Sequence, residues 1–412
     1  MASSVASIPP PREIPTTFSQ SLRSWWHTND KTSAVAEGRL FASILNPPTE
    51  ALYTASSSRV ALSKPRHFLN TFSVQSTTPS PDAPSPVILL PGYGAGIGFF
   101  LKNMPTLSHW AGKRGGSLYA VDWLGMGLSA RPPFRIKSTR ADISGRVAEA
   151  EGWFIDSLEE WRVKQKIERF TLVGHSLGGY LSVAYALRYP DRVDRLILLS
   201  PAGIPRDPNE TTAPERELEG AGKGNVGRSA SSVELASHAK VEEVRKEQVS
   251  RKPSESRRVR LFKYLWEEGW SPFQVVRNTL FWAPMLVGKY SSRRFSGLTD
   301  EETRAMHDYI LHITLSKGSG EYCISHLLAP GAHARRPMVD RIAALKMPIT
   351  FVYGDHDWMD PQGGEDSVEN LRKAGNGNAR SYIVSDAGHH VYLDNPKAVN
   401  SLLVKELDRK RA

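Results

Sequence analysis

One turn constrains the fold most: residues 174–179 read Gly-His-Ser-Leu-Gly-Gly and lie between an apolar run and a helical pattern. The run Phe170–Val173 is continuous and apolar, as expected of a strand buried on both faces. The helical pattern continues from Gly178 to Tyr189. A serine between glycines on a strand-to-helix turn is held with its hydroxyl exposed, which is typical of a nucleophile. We therefore predict a catalytic role for Ser176; the alternative is a Gly-rich turn with an inert serine.

Further apolar runs alternate with helical patterns along the chain. They occupy residues 87–90, 117–121, 196–199 and 349–353. Between them, residues 142–166 place apolar side chains three or four positions apart, as on one face of a helix. This alternation predicts an α/β fold with a mostly parallel sheet flanked by helices. The length of 412 residues fits one such core with a sizeable insertion.

Changes in composition divide the chain into five parts. Residues 1–24 are rich in serine and contain two arginines, which predicts a disordered or targeting tail. Residues 206–256 are polar and rich in Gly, Ser, Glu and Lys, which predicts a disordered or mobile linker. Residues 257–340 are helical and aromatic in pattern, and we interpret them as a helical cap inserted between two core strands. The core then consists of residues 25–205 and residues 341–412.

A serine hydroxyl needs a base to take its proton, and the base is expected in a loop after the last core strand. Residues 382–384 are the predicted last strand, and Ala-Gly-His-His follows at 387–390. His389, directly after the glycine, is the predicted base. His390 is the alternative, and it could instead be a loop histidine that faces solvent or packs on the last helix.

An acid that orients the histidine is expected after an earlier strand. The predicted strand at 348–353 is followed by Gly-Asp-His-Asp-Trp-Met-Asp at 354–360, so three aspartates compete. Asp357 is the predicted acid because it lies three residues after the glycine. Asp355 is interpreted as a turn former and Asp360 as a helix cap. The order serine, aspartate, histidine along the chain is that of one known fold of serine hydrolases.

The negative oxygen of a tetrahedral intermediate needs hydrogen-bond donors. One predicted donor is the backbone amide of Leu177, directly after the serine. The other is predicted in the loop Pro-Gly-Tyr-Gly-Ala-Gly at 91–96, whose glycines allow backbone amides to face inward. We favour the amide of Tyr93; the alternative is a turn without function.

Residues 122–129, Asp-Trp-Leu-Gly-Met-Gly-Leu-Ser, resemble a segment that follows the fourth core strand of α/β-hydrolases. More specifically, the chain resembles abhydrolase-domain lipid enzymes related to the comparative-gene-identification-58 lipase co-activator, with the fungal cardiolipin-specific deacylases as the nearest branch. The resemblance covers most of residues 20–410 outside the linker. It is carried by Trp25-Trp26 with Ala36-Glu37, Gly92–Ala95, Gly174–Gly179, Pro330–Ala332 before Arg335–Met338, Tyr353–Met359 and Gly388–Asp394.

The resemblance implies the α/β-hydrolase fold and hydrolysis of acyl esters in anionic phospholipids, with cardiolipin as the substrate and the mitochondrion as the compartment. A lipid droplet or the cytoplasm is the alternative location. The co-activator lacks the nucleophilic serine, whereas this chain keeps Ser176, which favours catalysis over non-catalytic lipase co-activation.

Relatives also carry a His-x4-Asp pattern linked to acyl transfer onto lysophosphatidic acid, and His389 with Asp394 fits it. A lysophosphatidic acid acyltransferase is therefore an alternative, although Asp394 also resembles the start of a helix. The chain departs from the pattern at Pro91, where relatives often have histidine.

Charge and aromatic side chains favour an anionic membrane surface as a partner. The formal net charge is +10, which attracts anions in general. Two groups of residues combine basic and aromatic side chains, which suits anionic headgroups above acyl chains. They are Trp25 and Trp26 beside Arg23, and Arg257, Arg258, Arg260 and Lys263, which alternate with Phe262 and Tyr264. Core packing or a solvated face is the alternative for these groups, and no nucleic-acid-binding motif accompanies them.

Few residues suit a metal or a cofactor, and neither is expected. The single cysteine, Cys323, rules out an internal disulfide, a Cys-based zinc site and an iron–sulfur centre. No apolar stretch approaches the ~20 residues that a membrane-spanning helix needs.

Together, the predicted triad and the family resemblance predict a serine hydrolase with a phospholipid substrate.

Overall fold

The computed structural model describes residues 9–47, 51–206, 232–250, 264–330 and 332–409. The strands are β1 (Tyr53–Ala61), β2 (Phe68–Ser76), β3 (Val87–Leu90), β4 (Ser117–Val121), β5 (Phe170–His175), β6 (Val193–Leu199), β7 (Val233–Leu235), β8 (Ile349–Gly354) and β9 (Ala379–Val384). The helices are α1 (Phe18–Trp26), α2 (Asp30–Leu40), α3 (Ala42–Leu45), α4 (Met104–Lys113), α5 (Ile143–Lys164), α6 (Leu177–Arg188), α7 (His238–Ser250), α8 (Pro272–Asn278), α9 (Ala283–Arg294), α10 (Asp300–Leu315), α11 (Ile324–Leu327), α12 (Gln362–Lys373), α13 (Val391–Asp394) and α14 (Pro396–Leu407).

The strands form one sheet in the order β1-β2-β4-β3-β5-β6-β8-β9-β7. From β4 to β9 in this order, neighbouring strands are parallel. At one edge β1 and β2 are antiparallel to their neighbours, and at the other edge β7 is antiparallel to β9. The mostly parallel sheet, flanked by helices and interrupted by a helical insertion, confirms the predicted fold class.

Side chains of the central strands alternate between two cores, one on each face of the sheet. In β3, Ile88 and Leu90 join the core with helices α5 and α6, whereas Val87 and Leu89 join the core with α4 and α14. A strand that is covered on both faces must be apolar at every position, which explains the continuous apolar runs. Because β5, β8 and β9 run parallel, the loops after them meet at one edge of the sheet.

Of the predicted disordered or targeting tail at 1–24, the disorder is wrong for residues 9–24, which pack on the fold, whereas targeting stays a prediction. Arg12 forms an ion pair with Asp308 of α10 at 3.5 Å and donates to the carbonyl oxygen of His27 at 3.1 Å. Helix α1 begins after a capping box in which the side chains of Thr17 and Gln20 bind each other's backbone amides. The N-terminal helix is therefore part of the folded domain.

The prediction of a disordered or mobile linker at 206–256 is wrong for residues 232–250. Strand β7 extends the sheet beside β9, and Val241 and Val244 of α7 are buried against the core. Residues 207–231 and 251–256 of the range lie outside the described residues. A three-residue edge strand and a helix with few buried positions need little apolar sequence, so the composition indicated a linker.

The insertion between β6 and β8 supplies helices α8 to α11, which we call the cap. Helix α10 packs against α2 and α9, and α1 packs against α9. Tyr309 and Ile310 of α10 are buried in the core that also contains Ala36 of α2. The N-terminal helices and the cap therefore form one packed unit beside the sheet. Within the described ranges, none of the helices combines the length and apolarity that crossing a bilayer requires.

Candidate active site

Ser176 lies on the turn between β5 and α6. Its backbone angles are φ 51° and ψ −118°, a strained conformation for a residue with a side chain. Both flanking positions require glycine because a side chain would not fit there. A Cβ on Gly178 would lie 2.5 Å from the carbonyl oxygen of Leu90, and a Cβ on Gly174 would lie 2.5 Å from that of Gly178. The turn therefore needs glycine on both sides of the serine that it presents.

Three predicted residues from separate loops form one chain of hydrogen bonds. Nε2 of His389 lies 3.0 Å from Oγ of Ser176, and Nδ1 of His389 lies 3.1 Å from Oδ1 of Asp357. The exposed fractions are 5% for Ser176, 7% for His389 and 1% for Asp357. With the proton on Nδ1 facing the carboxylate, Nε2 can accept the serine proton. The structure thus brings these three residues together in the geometry of a Ser-His-Asp triad.

The two competing aspartates have other partners. Asp355 accepts hydrogen bonds from two backbone amides of the loop before His389, each at 3.1 Å. Asp360 accepts a hydrogen bond from the amide of Gln362 at 3.0 Å, at the start of α12. Asp357 is the aspartate whose carboxylate faces the imidazole.

Two further histidines surround the imidazole of His389. Nε2 of His175 lies 3.0 Å from the carbonyl oxygen of His389, so a protonated Nε2 donates to it. His390 stacks on Phe99 with ring centroids 5.5 Å apart. The pKa of His390 lies well below its usual value, first because burial disfavours the imidazolium and then because the cation of Arg294 is near. His390 thus has a packing role, and His389 is the histidine within hydrogen-bonding distance of the serine.

Both residues predicted to supply oxyanion donors lie beside the serine. Leu177 begins α6, so its amide belongs to the first helical turn, whose N–H groups have no partner within the helix. Tyr93 lines the same cavity as Ser176 and Leu177. The loop of Tyr93 is held by Asp122, whose carboxylate accepts the amide of Ile97 at 2.8 Å. Backbone amides at these two positions can stabilise a developing oxyanion.

A narrow apolar cavity reaches Ser176. Its volume is about 20 Å³, room for about one water molecule. Phe273 of α8 packs on Tyr93 with ring centroids 5.5 Å apart and covers the loop of the predicted oxyanion donor. The cavity is lined by Tyr93, Leu177, Ala202, Trp266, Ile324, Leu328, Ala332, Trp358 and Met359. The lining suits an acyl chain. Because the cavity is small, an acyl chain can bind only if these side chains move apart.

A buried carboxyl pair supports the oxyanion loop from behind. Nδ2 of Asn70 donates to Glu37 at 2.7 Å and to Asp122 at 3.0 Å. Burial and, as a second cause, the negative charge of Asp122 raise the pKa of Glu37 to about 8. Burial also raises the pKa of Asp122, to about 6, although hydrogen bonds from the amides of Leu128 and Ile97 lower it.

In the described part of the chain, no group of three or more His, Cys, Asp or Glu side chains is placed to hold a metal ion.

We expect Glu37→Gln to remove part of the pH dependence of stability. The folded chain holds the Glu37 proton up to about pH 8, whereas an unperturbed glutamate releases it near pH 4.5. The stabilisation from this group is therefore complete below about pH 4.5 and is lost as the pH rises towards about 8. The melting temperature of Glu37→Gln should exceed that of the wild type at about pH 8.5 by several degrees and match it at about pH 4.5. The exposed Glu168→Gln is the control; equal pH dependence of all three proteins would refute the assignment.

Two residues that support the triad were missed by the sequence reasoning. Gln248 of α7 donates to the backbone carbonyls of Asp357 and Met359, at 2.9 and 3.1 Å. The ring of Trp358 packs 4.9 Å from the ring of His389. One glutamine in a polar segment carries no signal of such a contact, whereas the tryptophan beside Asp357 was a visible candidate.

The predicted membrane-binding residues fall into two groups. Trp26 of α1 is 75% exposed, and Trp25 packs edge-on against Phe281 with ring centroids 5.2 Å apart. The structure therefore leaves one tryptophan of the pair available to a membrane and uses the other in packing. The basic residues Arg257, Arg258, Arg260 and Lys263 lie outside the described residues.

The fold agrees with comparisons to known proteins. The profile of the alpha/beta hydrolase fold matches residues 85–396. The chain belongs to the α/β-hydrolase family. This α/β-hydrolase also resembles the solved carboxylesterase CesB of Bacillus subtilis, with a TM-score of 0.51 and 16% identity over 92% of this chain and 98% of the esterase. At that identity the likeness shows the shared fold alone.

Relatives with higher identity place this α/β-hydrolase in the abhydrolase lipid-enzyme subgroup. It is 31% identical over 398 residues to a 1-acylglycerol-3-phosphate O-acyltransferase of Arabidopsis thaliana, across 93% of this chain and 82% of the relative. It is 30% identical over 339 residues to the (lyso)-N-acylphosphatidylethanolamine lipase of Homo sapiens, across 80% of this chain and 81% of the relative. The predicted resemblance to abhydrolase-domain lipid enzymes is thereby confirmed.

Proposed function

We propose that this α/β-hydrolase is a serine hydrolase that cleaves acyl esters of phospholipids at a membrane surface. The observation that carries the proposal is the hydrogen-bonded chain of Ser176, His389 and Asp357 beside an apolar cavity. Membership of a lipid-enzyme subgroup supports a lipid substrate. The net charge of +10 favours an anionic headgroup, and we propose cardiolipin as the first candidate.

In the proposed acylation step, Oγ of Ser176 attacks the ester carbonyl carbon while Nε2 of His389 takes the hydroxyl proton. The electron pair of the carbonyl moves to its oxygen, which the amides of Leu177 and Tyr93 stabilise. Asp357 stabilises the imidazolium that forms. The bond to the glycerol oxygen then breaks, and that oxygen takes the proton from His389, which releases a lysophospholipid and leaves an acyl-enzyme.

Deacylation has two possible acceptors. In hydrolysis, His389 takes a proton from water as the water oxygen attacks the acyl carbon, and Ser176 regains its proton as the fatty acid leaves. The hydroxyl of a lysophospholipid can replace water in the same step. We propose acyl transfer as the second candidate function because the Arabidopsis thaliana relative is named as such an acyltransferase.

The test of both functions is product analysis with the purified protein. Vesicles of cardiolipin or phosphatidylcholine are incubated with and without lysophosphatidic acid, and the lipids are measured by mass spectrometry. Release of fatty acid that disappears in Ser176→Ala supports hydrolysis, and formation of phosphatidic acid at its expense supports transfer. Absence of both products from a protein that reacts with a fluorophosphonate would refute the lipid substrate but keep the nucleophile.

The proposed membrane contact is an exposed apolar patch that joins α1 to the cap. Phe18 of α1 packs on Trp282 with ring centroids 4.8 Å apart. The patch consists of Phe18, Leu22, Trp26, Leu280, Trp282 and Leu286, each at least 38% exposed. Aromatic and aliphatic side chains of this kind insert between lipid headgroups and acyl chains. The cap residues of the patch, Leu280, Trp282 and Leu286, follow α8 in the chain, and α8 carries Phe273 over the loop of Tyr93. This part of the patch and the cover of the site therefore lie on one segment.

We expect Trp26→Ala with Trp282→Ala to weaken vesicle binding roughly tenfold or more, because each change removes apolar area that inserts into the bilayer. Binding should also increase with anionic lipid and decrease with added salt, since electrostatic attraction is screened beyond ~10 Å at 0.1 M salt. Flotation with neutral and cardiolipin-containing vesicles measures both effects. The exposed Val163→Ala on α5 is the control, and hydrolysis of a soluble ester should stay unchanged in all variants. Unaltered flotation of the double tryptophan variant would contradict the patch.

A further inference from the structure

A buried ion pair connects the cap to the loop that carries His389. Oδ2 of Asp394 accepts the backbone amide of Gly388, directly before His389, at 2.9 Å. Oδ1 of the same carboxylate lies 2.9 Å from the guanidinium of Arg294. Arg294 is the last residue of α9, in the cap. One carboxylate therefore binds the cap and the residue that precedes the candidate base.

The burial of this pair makes its geometry specific. The side chains of Arg294 and Asp394 are 12% and 8% exposed. A charge in such surroundings is costly without its partner, so each side chain restricts the position of the other. A second contact runs in parallel: Phe295 packs edge-on against Phe99 at 6.1 Å, and Phe99 stacks on His390 at 5.5 Å. Contacts from the end of α9 thus reach both residues that flank His389.

We propose that Arg294 and Asp394 are positioning residues that align His389 with Ser176, and that docking of the cap thereby controls this alignment. The proposal rests on the triad proposed above. The proposal also gives the aspartate of the His-x4-Asp pattern a structural role, because the carboxylate of Asp394 is already bound to Gly388 and Arg294. Displacement of a catalytic group by about 1 Å lowers turnover by up to about 10²-fold. Loss of the pair should therefore reduce kcat and leave KM nearly unchanged.

The test uses the full chain with a soluble short-chain ester and a fluorophosphonate. We expect Asp394→Ala and Arg294→Met each to lower kcat and the labelling rate roughly 10- to 100-fold, with KM within about twofold. Asp394→Asn should be similarly impaired, since its amide group would face the guanidinium. The double change Arg294→Met with Asp394→Asn should recover part of the activity relative to Asp394→Asn, because an amide oxygen can then accept the Gly388 amide without an unpaired cation nearby. Its activity should stay below that of the wild type, because the link from the cap to the loop of His389 is still missing.

Two controls separate positioning from folding. Arg293→Met alters the neighbouring arginine, and Val399→Ala creates a cavity in the core at α14, where Val399 is fully buried. Val399→Ala should lower the melting temperature without changing the labelling rate at a temperature where the protein is folded. Labelling of Asp394→Ala and Arg294→Met at the wild-type rate would overturn the proposal, as would loss of acyl transfer to lysophosphatidic acid with unchanged hydrolysis in Asp394→Ala. A wild type that is itself unlabelled would instead refute the proposed nucleophile.

Discussion

Replacing Ser176 by alanine is expected to lower ester hydrolysis by on the order of 10⁵-fold, because no other group at the site can form the acyl-enzyme. The change removes a single oxygen from a side chain that is 5% exposed, and alanine fits the space without a new contact. The strained φ of 51° stays the same, so the fold should be kept. Turnover of a soluble ester and covalent labelling by a fluorophosphonate measure the loss.

The control for this change is Ser182→Ala in the same helix. The hydroxyl of Ser182 donates to the carbonyl oxygen of Gly178 at 2.6 Å, within α6. Its removal should cost some stability and leave labelling intact. Full hydrolysis by Ser176→Ala would show that another residue is the nucleophile, even though Ser176 is hydrogen-bonded to His389.

Asp357→Asn is the second large expected effect. The neutral amide cannot stabilise the imidazolium as the carboxylate does. Its NH2 group can also donate to Nδ1, which leaves the histidine in the wrong tautomer, with its proton on Nε2. In a serine protease with the same triad the equivalent change lowers kcat about 10⁴-fold, and we expect a loss of similar order here. The pH dependence of kcat and the labelling rate measure the effect.

Asp355→Asn and Asp360→Asn are the matched controls for the acid. Asp355 braces the loop before His389 through two amides, so its change should have a smaller effect, roughly tenfold or less. Asp360 accepts the Gln362 amide at the start of α12, and its change should mainly affect stability. A larger loss from Asp360→Asn than from Asp357→Asn would place the acid later in the loop.

The proposed roles of the cap connect these chemical groups to the lipid surface. The apolar patch includes Leu280, Trp282 and Leu286 beside α1. Leu286 lies in the first half of α9, and Arg294 is the last residue of the same helix. A shift of this helix on membrane contact would act on Asp394 and through it on the loop of His389. Binding of the cap to lipid and alignment of the base would then be one event. The flotation and labelling experiments, carried out on the same variants, address this connection.

Local chemistry could be predicted from the sequence because it depends on residues that are close in the chain. The elbow around Ser176 needs glycines at fixed positions, and buried parallel strands need unbroken apolar runs. The choice of Asp357 over its two neighbours followed from spacing within one loop, and the structure places this carboxylate against His389. The fold class and the three residues that form the triad geometry could therefore be predicted from the sequence.

The tertiary structure alone decided the contacts between segments that are far apart in the chain. Strand β7 and Gln248 arise from a polar range that composition assigned to a linker, because an edge strand and a single amide need no apolar pattern. Residues 9–24 looked like a tail, yet Arg12 is paired with Asp308 of the cap. The pairing of Arg294 with Asp394 depends on how the cap lies on the core, which no local pattern encodes. Sequence thus determined which groups the proposed chemistry uses, and packing determined which side chains hold them in place.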